Sequence, residues 1–289
     1  MQSSGVSRRS ALAAIAGTSG ALVLGATTAQ SEEKVMARKG NINHSVCKWC
    51  YKDMSLEELC GHAVAMGIGG IDLLPVNDLP TLKPFNLVCP MVGGPGNITN
   101  GWNDPLLHDS LVENSEKILP QIAEAGMTNM IVFSGNRRDL SDAEGLRNCA
   151  AGLKRITPLA ESLGVNIVME LLNSKVNHPD YQCDKSPWGV ALCDEVGSPR
   201  FKLLYDIYHM QIMEGDVIQT ITDFHPYFAH YHTGGVPGRA EIDETQELNY
   251  PAICRAIVAT GYTGYVAQEF VPKRDPETSL REAIDLCDV

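Results

Sequence analysis

The chain has 289 residues, of which 44% are hydrophobic, so it is long enough for one large α/β domain or two small ones. Its 35 acidic residues outnumber the 23 lysines and arginines and give a formal net charge of −12. This balance argues against nucleic acid as the main partner, because phosphate neutralisation needs clustered basic side chains. A small polar substrate is compatible with it.

Residues 1–29 have the features of an export signal. A twin arginine, Arg8 and Arg9, precedes a run of small and apolar residues, and a cleavage site is predicted after Ala29. The segment resembles a bacterial twin-arginine signal, although Ala11 stands where such signals usually carry Phe. The apolar run is short for a stable membrane span. We therefore expect a periplasmic or secreted protein without a membrane span after processing, with residues 30–40 as a polar linker.

Nine cysteines are scattered along the chain, mostly inside apolar runs, and their number is odd. This pattern favours buried free thiols over a disulfide framework. Cys47 and Cys50 form a single C-x-x-C pair without a second pair or an adjacent histidine, so a structural zinc or redox site there is disfavoured.

From residue 41 to residue 289 the chain alternates strand-like and helix-like segments. The strand-like runs, in order, are "INHSV", "GGIDLL", "NLVCPMV", "NMIVFSG", "VNIVMELLN", "FKLLYDIYHM", "FAHYHTG" and "GYVAQEF". The first helix begins at Ser55 with Glu58 at a capping-box spacing, and the second is short and broken by prolines. Further helices are predicted over 109–125, over 141–163 and from about Glu277.

Eight strand–helix units in about 250 residues predict a single-domain α/β protein, a (β/α)₈ TIM barrel. A doubly wound sheet is the alternative, but no G-x-G-x-x-G follows the first strand. The Gly-rich stretch "GGPGNITNGWNDP" lacks the Gly-Lys-Ser/Thr of a phosphate-binding loop, so we interpret it as a lid or a plain connection.

Each of the last four predicted strands ends in a residue that could bind a metal ion. Parallel barrel strands carry their chemistry at their carboxyl ends. Three carboxylates and one imidazole favour a divalent, oxygen-preferring metal, Mn²⁺ or Mg²⁺ first, with Co²⁺ or Zn²⁺ as alternatives. The two glutamates lie three strands apart, on the fifth and eighth predicted strands, and we therefore expect them to face each other across the barrel mouth. The four residues are Glu170, Asp206, His232 and Glu269.

Several motifs in this half of the chain resemble those of the hydroxypyruvate isomerases, a group within the xylose-isomerase-like barrel superfamily that also holds the ketose 3-epimerases. The motifs are "YDIYHMQ", "HYHT" with "VPGR", "ELNYP" and "QEF", and the resemblance runs from about residue 41 to the end. It implies the same four metal ligands. It also implies Glu170 and Glu269 as the catalytic proton-transfer pair, and His209 and Arg239 as substrate contacts.

This resemblance implies an isomerase that interconverts a small keto acid or ketose and its aldehyde isomer through an enediolate. Hydroxypyruvate to tartronate semialdehyde is the first candidate reaction. A metal would stabilise the enediolate, while a carboxylate would move the proton. Arg239 would bind a substrate carboxylate, unless it pairs instead with Glu241 or Asp243.

Two other functions remain open, a ketose 3-epimerase and an exported sugar-binding barrel without catalysis. A superfamily member acting on DNA is disfavoured by the acidic charge and by too few histidines for a three-metal cluster. The expected partner is thus a small keto acid or sugar, and a homo-oligomer is left open.

The export signal can be tested directly. Replacing Arg8 and Arg9 with Lys should leave the protein unprocessed inside the cell, because the arginine pair is the feature that the pathway reads. Cell fractionation with a mass measurement of the amino terminus checks this, and normal processing of the double variant would contradict it.

Overall fold

The computed structural model describes residues 38–289 and contains seven parallel strands in one sheet. The strands are β1 (Asn43–Cys47), β2 (Gly70–Asp72), β3 (Asn129–Val132), β4 (Asn166–Glu170), β5 (Phe201–Asp206), β6 (Phe228–Thr233) and β7 (Tyr265–Gln268). Along the sheet they follow the order β2-β1-β7-β6-β5-β4-β3. Consecutive strands of the second half are therefore neighbours, and their carboxyl ends lie together at one end of the sheet.

The eighth position of the barrel is filled by the segment 88–92, which was predicted as a regular third strand. It makes isolated bridges instead. The carbonyl of Val88 accepts from Ile71 of β2 (2.9 Å), and the amide of Val92 donates to Asn129 of β3 (3.0 Å). Pro90 lies between them and has no N–H to donate, so a continuous ladder cannot form there. The segment still joins β2 to β3 and closes a TIM barrel, so the predicted fold is confirmed and the regular third strand is wrong.

Helices lie between the strands along the chain and pack on the outside of the barrel. They are α1 (Leu56–Met66), α2 (His108–Glu124), α3 (Asp142–Leu153), α4 (Thr157–Leu163), α5 (Ser186–Val196), α6 (Ile207–Met213), α7 (Val217–Phe224), α8 (Tyr250–Ala259) and α9 (Pro276–Cys287). The capping box of Ser55 and Glu58 is formed as predicted. The second helix is a 3-10 helix, Val76–Phe85, with two internal prolines.

The single helix predicted over 141–163 is wrong, because the chain forms α3 and α4 with a break between them. Ser141 caps the start of α3, and its side chain accepts a hydrogen bond from the Glu144 amide. Pro158 lies in the first turn of α4. A proline has no amide hydrogen and is tolerated in a first turn but not in a helix interior, which explains the new start.

The Gly-rich loop is a fixed connection. The Trp102 amide donates to the Phe133 carbonyl (3.1 Å), and the Asn103 amide donates to the Ser134 carbonyl (2.7 Å). Trp102 is fully buried. Gly101 lies so close to the chain after β3 that a Cβ there would stand 2.2 Å from the Phe133 carbonyl oxygen. Close backbone approach therefore explains this glycine.

All nine cysteines are buried free thiols, as predicted. The targeting segment 1–29 and most of the predicted linker lie outside the described residues. The last residues of that linker are fastened to the end of the chain, since the Lys39 amide contacts both carboxylate oxygens of Asp288 at 3.1 Å and Arg38 pairs with Asp285. Within residues 38–289, no helix combines the length and the apolar character needed to cross a membrane.

Gly101→Ala should destabilise the fold, because its methyl group would overlap a backbone carbonyl that cannot move freely. Overpacking of this kind costs about 1–3 kcal/mol. Gly61→Ala is the matched control: this glycine lies within α1, and a Cβ there meets nothing within 4 Å. We expect the control to be neutral or to gain roughly 0.5–1 kcal/mol from the lower chain entropy of alanine. Urea denaturation of both variants measures the difference, and equal stabilities would contradict the role of Gly101.

Candidate active site

The four predicted ligands converge at the carboxyl end of the barrel. Glu170 and Asp206 are the last residues of β4 and β5, His232 is in β6, and Glu269 follows β7. Asp206 and His232 are register partners in adjacent strands. One ligand atom from each of the four lies within 4.8 Å of the others, and all four side chains are buried.

The imidazole of His232 lies at the centre of this cluster. Its Nδ1 is 2.6 Å from Glu269 Oε2, 3.3 Å from Glu170 Oε1 and 4.0 Å from Asp206 Oδ2. None of these approaches has hydrogen-bond geometry at Nδ1, which is a buried polar atom without a partner of that kind. Oxygen and nitrogen atoms that lie this close without hydrogen bonds between them are arranged as the ligands of a single metal ion would be. Three hard oxygen donors and an imidazole also suit Mn²⁺ or Mg²⁺, so the residues present fit a divalent metal.

Burial and neighbouring charges shift the pKa values of these four groups in opposite directions. It raises the pKa of Glu170 to about 7 and the pKa of Asp206 to about 6, although positive neighbours oppose both shifts. Burial also raises the pKa of Glu269, but Arg239 and His232 outweigh it and hold that pKa well below its usual range. In His232 burial lowers the pKa, yet contacts with Glu269 and Glu170 raise it well above the usual range. Positive charge close to the cluster is therefore needed to keep its three carboxylates ionised.

Arg239 supplies part of that charge from the loop after β6. Its Nη2 donates to Asp206 Oδ2 (2.6 Å) and to the Glu269 carboxylate, and its Nε donates to the Glu269 carbonyl (2.9 Å). The guanidinium also lies over the Tyr208 ring, 4.8 Å from its centroid. The alternative pairing with Glu241 or Asp243 does not occur, since Arg274 pairs with Asp243 instead.

His209 lies on α6, next to Arg239. Asn173 Nδ2 approaches its Nδ1 at 2.6 Å, and Arg239 Nη1 approaches its Nε2 at 2.9 Å. A neutral imidazole accepts at one nitrogen only. The Asn173 amide is oriented by the backbone amides of Val176 and Asn177, which donate to its oxygen. Both approaching groups are donors, so a neutral His209 can accept a hydrogen bond from only one of them at a time.

A cavity of about 460 Å³ opens over the cluster, and Glu170, Glu269, His209 and Arg239 line it. A larger cavity of about 820 Å³ lies beside α9 and contains none of the four ligands, so side-chain chemistry rather than size identifies the site. The structure thus brings together all six residues that were predicted for the site.

Sequence reasoning missed Trp49, which lies in the 3-10 helix Lys48–Cys50 after β1 and donates from its indole nitrogen to Glu269 Oε1 (2.6 Å). The rule that barrel chemistry follows strand ends would have drawn attention to it. Deeper in the barrel, His230 contacts Asp72 Oδ2 at 2.9 Å, and Ser45 donates to the same oxygen. His230 is therefore a core histidine paired through its Nε2, while its buried Nδ1 has no hydrogen-bond partner.

The fold and the site together define a class of protein, a closed parallel barrel with a cluster of carboxylates and one histidine at its carboxyl end. The chain belongs to the xylose isomerase-like TIM barrel family, whose family model matches residues 80–288. It is 34% identical over 114 residues to the hydroxypyruvate isomerase of Escherichia coli, covering 38% of this chain and 44% of the relative. It is 32% identical over 143 residues to the 2-oxo-tetronate isomerase of Cupriavidus necator, covering 48% and 54%.

The matched segments span about half the length of these curated relatives. Among solved structures, an AP endonuclease, family 2, from Brucella melitensis superposes with a TM-score of 0.76 at 24% identity, covering 85% of this chain and 97% of that chain. A D-psicose 3-epimerase, crystallised in the presence of D-fructose, superposes with a TM-score of 0.67 at 18% identity, covering 85% and 90%. These likenesses support the fold.

The metal site can be tested by binding alone. Asp206 caps α6, because its Oδ1 accepts a hydrogen bond from the His209 amide. Asp206→Asn removes one negative charge but keeps an oxygen that can accept this hydrogen bond. We expect Mn²⁺ affinity, measured by calorimetry, to fall while thermal unfolding changes little. Asp243→Asn is the control, because this carboxylate pairs with Arg274 away from the cluster. Unchanged Mn²⁺ affinity in Asp206→Asn would contradict the ligand assignment.

Proposed function

We propose that the protein is a metal-dependent isomerase that moves a proton between the neighbouring carbons of a hydroxy ketone through an enediolate. The observation that carries the proposal is the convergence of Glu170, Asp206, His232 and Glu269 under a cavity that the two glutamates also line. A structural cluster would have no need to open onto a cavity of substrate size.

In this proposal the four ligands hold a divalent metal, Mn²⁺ or Mg²⁺ first. When bound, such an ion polarises a carbonyl and stabilises the negative charge of an enediolate. Glu170 and Glu269 face the same cavity, so one can accept the substrate proton and the same or the other can return it. Trp49 holds one oxygen of Glu269 by a hydrogen bond, which fixes the direction of this carboxylate.

The first candidate reaction is the conversion of hydroxypyruvate to tartronate semialdehyde. The curated relatives support it, since they are named hydroxypyruvate isomerase and 2-oxo-tetronate isomerase. A ketose 3-epimerase is the second candidate. The same two carboxylates would serve it if the proton returned to the carbon that lost it, and the barrel shares its fold with a D-psicose 3-epimerase.

We also propose that the enzyme acts outside the cytoplasm. The twin arginine at residues 8 and 9 and the apolar run after it support this location. Export of folded proteins by such a signal is compatible with buried thiols, which are then enclosed before the protein leaves the cell.

Glu269→Gln tests the mechanism, because it keeps the side-chain shape but removes the group that accepts a proton. Loss of a general base costs about 10²–10⁴-fold in rate. We expect turnover of hydroxypyruvate, dihydroxyacetone or D-fructose to fall by this amount in the Mn²⁺-loaded variant. The control is Glu277→Gln, because Glu277 pairs with Arg281 on the outside of the barrel.

Isotope incorporation gives the second readout. In D₂O the wild type should place solvent deuterium in the product, because a carboxylate proton exchanges with solvent. Near-normal turnover of Glu269→Gln with metal bound, or product without deuterium, would contradict proton transfer and favour a hydride shift.

A further inference from the structure

Isomerisation and epimerisation of a hydroxy ketone differ in the protons that must move. When the ketone becomes its aldehyde isomer, a C–H bond breaks at the hydroxyl-bearing carbon and a new one forms at the former carbonyl carbon. The hydroxyl oxygen also loses its proton, and the former carbonyl oxygen gains one. Epimerisation breaks and re-forms a C–H bond at one carbon and leaves every hydroxyl proton in place. An isomerase therefore has a second proton transfer to carry out, from oxygen to oxygen.

Most side chains that line the cavity over the cluster cannot carry this oxygen-bound proton. Four of them have no polar atom, Leu73, Ile98, Phe133 and Leu172. The indole of Trp49 and the guanidinium of Arg239 are donors only, and the amide of Asn177 does not take up a proton at neutral pH. Glu170 and Glu269 are proposed to serve the carbon atoms. Among the residues that line this cavity, two histidines remain.

The two histidines differ in the partners of their ring nitrogens. The nitrogens of His209 are both approached by donor groups, from Asn173 at 2.6 Å and from Arg239 at 2.9 Å. Within residues 38–289, neither ring nitrogen of His178 takes part in a hydrogen bond. His178 therefore presents the imidazole whose nitrogens are available to a molecule in the cavity.

The loop after β4 fixes the position of His178. Its amide donates to the Asn173 carbonyl (3.1 Å), and its carbonyl accepts from the Tyr181 amide (3.1 Å). The hydroxyl of Tyr181 in turn donates to the Glu170 carbonyl (3.0 Å), which ties the loop to the end of the strand. The ring of His178 packs against the ring of His209, with 5.2 Å between the centroids. The imidazole is thus held at the wall of the cavity.

The environment of His178 keeps its ring neutral. Burial lowers the pKa of His178, Arg239 lowers it further, and Glu269 opposes the shift. A neutral imidazole has one donor and one acceptor nitrogen, so it can accept a hydroxyl proton and give one back.

We propose that His178 is a further catalytic residue, which takes the proton from the substrate hydroxyl and returns it to the neighbouring oxygen. The glutamates meanwhile move the proton between the two carbons. The imidazole accepts one proton and releases one, so it ends each turnover as it began, and no oxidant or other reactant is consumed. The inference rests on the proposed function and deepens it by naming a residue that isomerisation needs and hydrogen exchange at carbon does not.

His178→Gln separates the two proton transfers. The Mn²⁺-loaded full chain is incubated in D₂O with hydroxypyruvate or D-fructose, and NMR follows both the aldehyde isomer and the deuterium in recovered substrate. We expect isomer formation to fall by about 10²–10⁴-fold, the usual effect of losing a general acid or base. Deuterium exchange into the substrate should continue close to the wild-type rate, because it needs only the glutamates. Mn²⁺ affinity and thermal unfolding should be unchanged.

Chemical rescue gives a readout that a structural role would not produce. His178→Ala leaves room at the cavity wall, so added imidazole should restore isomer formation in this variant and leave the wild type unaffected. His62→Gln is the matched control, because this histidine lies on α1 and contacts Glu277 at 3.3 Å on the outside of the barrel. It should behave as the wild type does in every assay.

The outcomes separate this inference from the proposed function. Unchanged isomer formation in His178→Gln, or a loss of exchange that parallels the loss of isomer, would overturn the role of His178. A wild type that exchanges hydrogen and forms an epimer but no aldehyde isomer would also overturn it, while supporting proton transfer by the glutamates. A wild type that forms isomer without any exchange would contradict the proposed proton transfer, and this inference would fall with it.

Discussion

The interaction on which the site depends is the contact of Arg239 with two buried carboxylates. Asp206 ends β5 and Glu269 follows β7, with β6 between them, and parallel strands bring such ends to the same edge of the sheet whether or not their charges repel. A guanidinium that donates to both carboxylates compensates that repulsion. His232 and a bound cation would compensate the rest. Without these positive groups, the three acids could not all be ionised in so small a buried volume.

The loop after β6 is shaped around this contact. Arg239 has a φ of 55°, a left-handed conformation that non-glycine residues adopt rarely. Gly235 lies against the chain at Glu241, where a Cβ would stand 2.1 Å from a carbonyl oxygen. A residue in a strained backbone conformation costs about 1–3 kcal/mol of stability, and it persists only where its surroundings hold it in place. The hydrogen bonds of Arg239 to Asp206 and Glu269 are such surroundings, so the strain is explained by the position of the guanidinium.

Much of this architecture could be predicted from the sequence because its signals are local. Buried runs that end in Glu170, Asp206, His232 and Glu269 identify strand ends, and barrel geometry then places those ends together. The segment 88–92 was assigned as a regular strand because its run is apolar and strand-like, although Pro90, visible in the sequence, removes one donor from it. Trp49 could not be assigned a role either. Its contact with Glu269 joins residues 220 positions apart, and no spacing rule connects them.

The indole contact also changes how the two glutamates compare. Both are buried and both approach His232, yet only Glu269 receives hydrogen bonds from Trp49 and Arg239. Hydrogen bonds to a carboxylate favour its ionised form and fix its direction, while Glu170 keeps a higher pKa of about 7 because of burial. The two glutamates thus differ in pKa because of their neighbours alone. The proposed proton transfer would use such a difference between the two glutamates, and the barrel provides it with Trp49 after the first strand and Arg239 after the sixth.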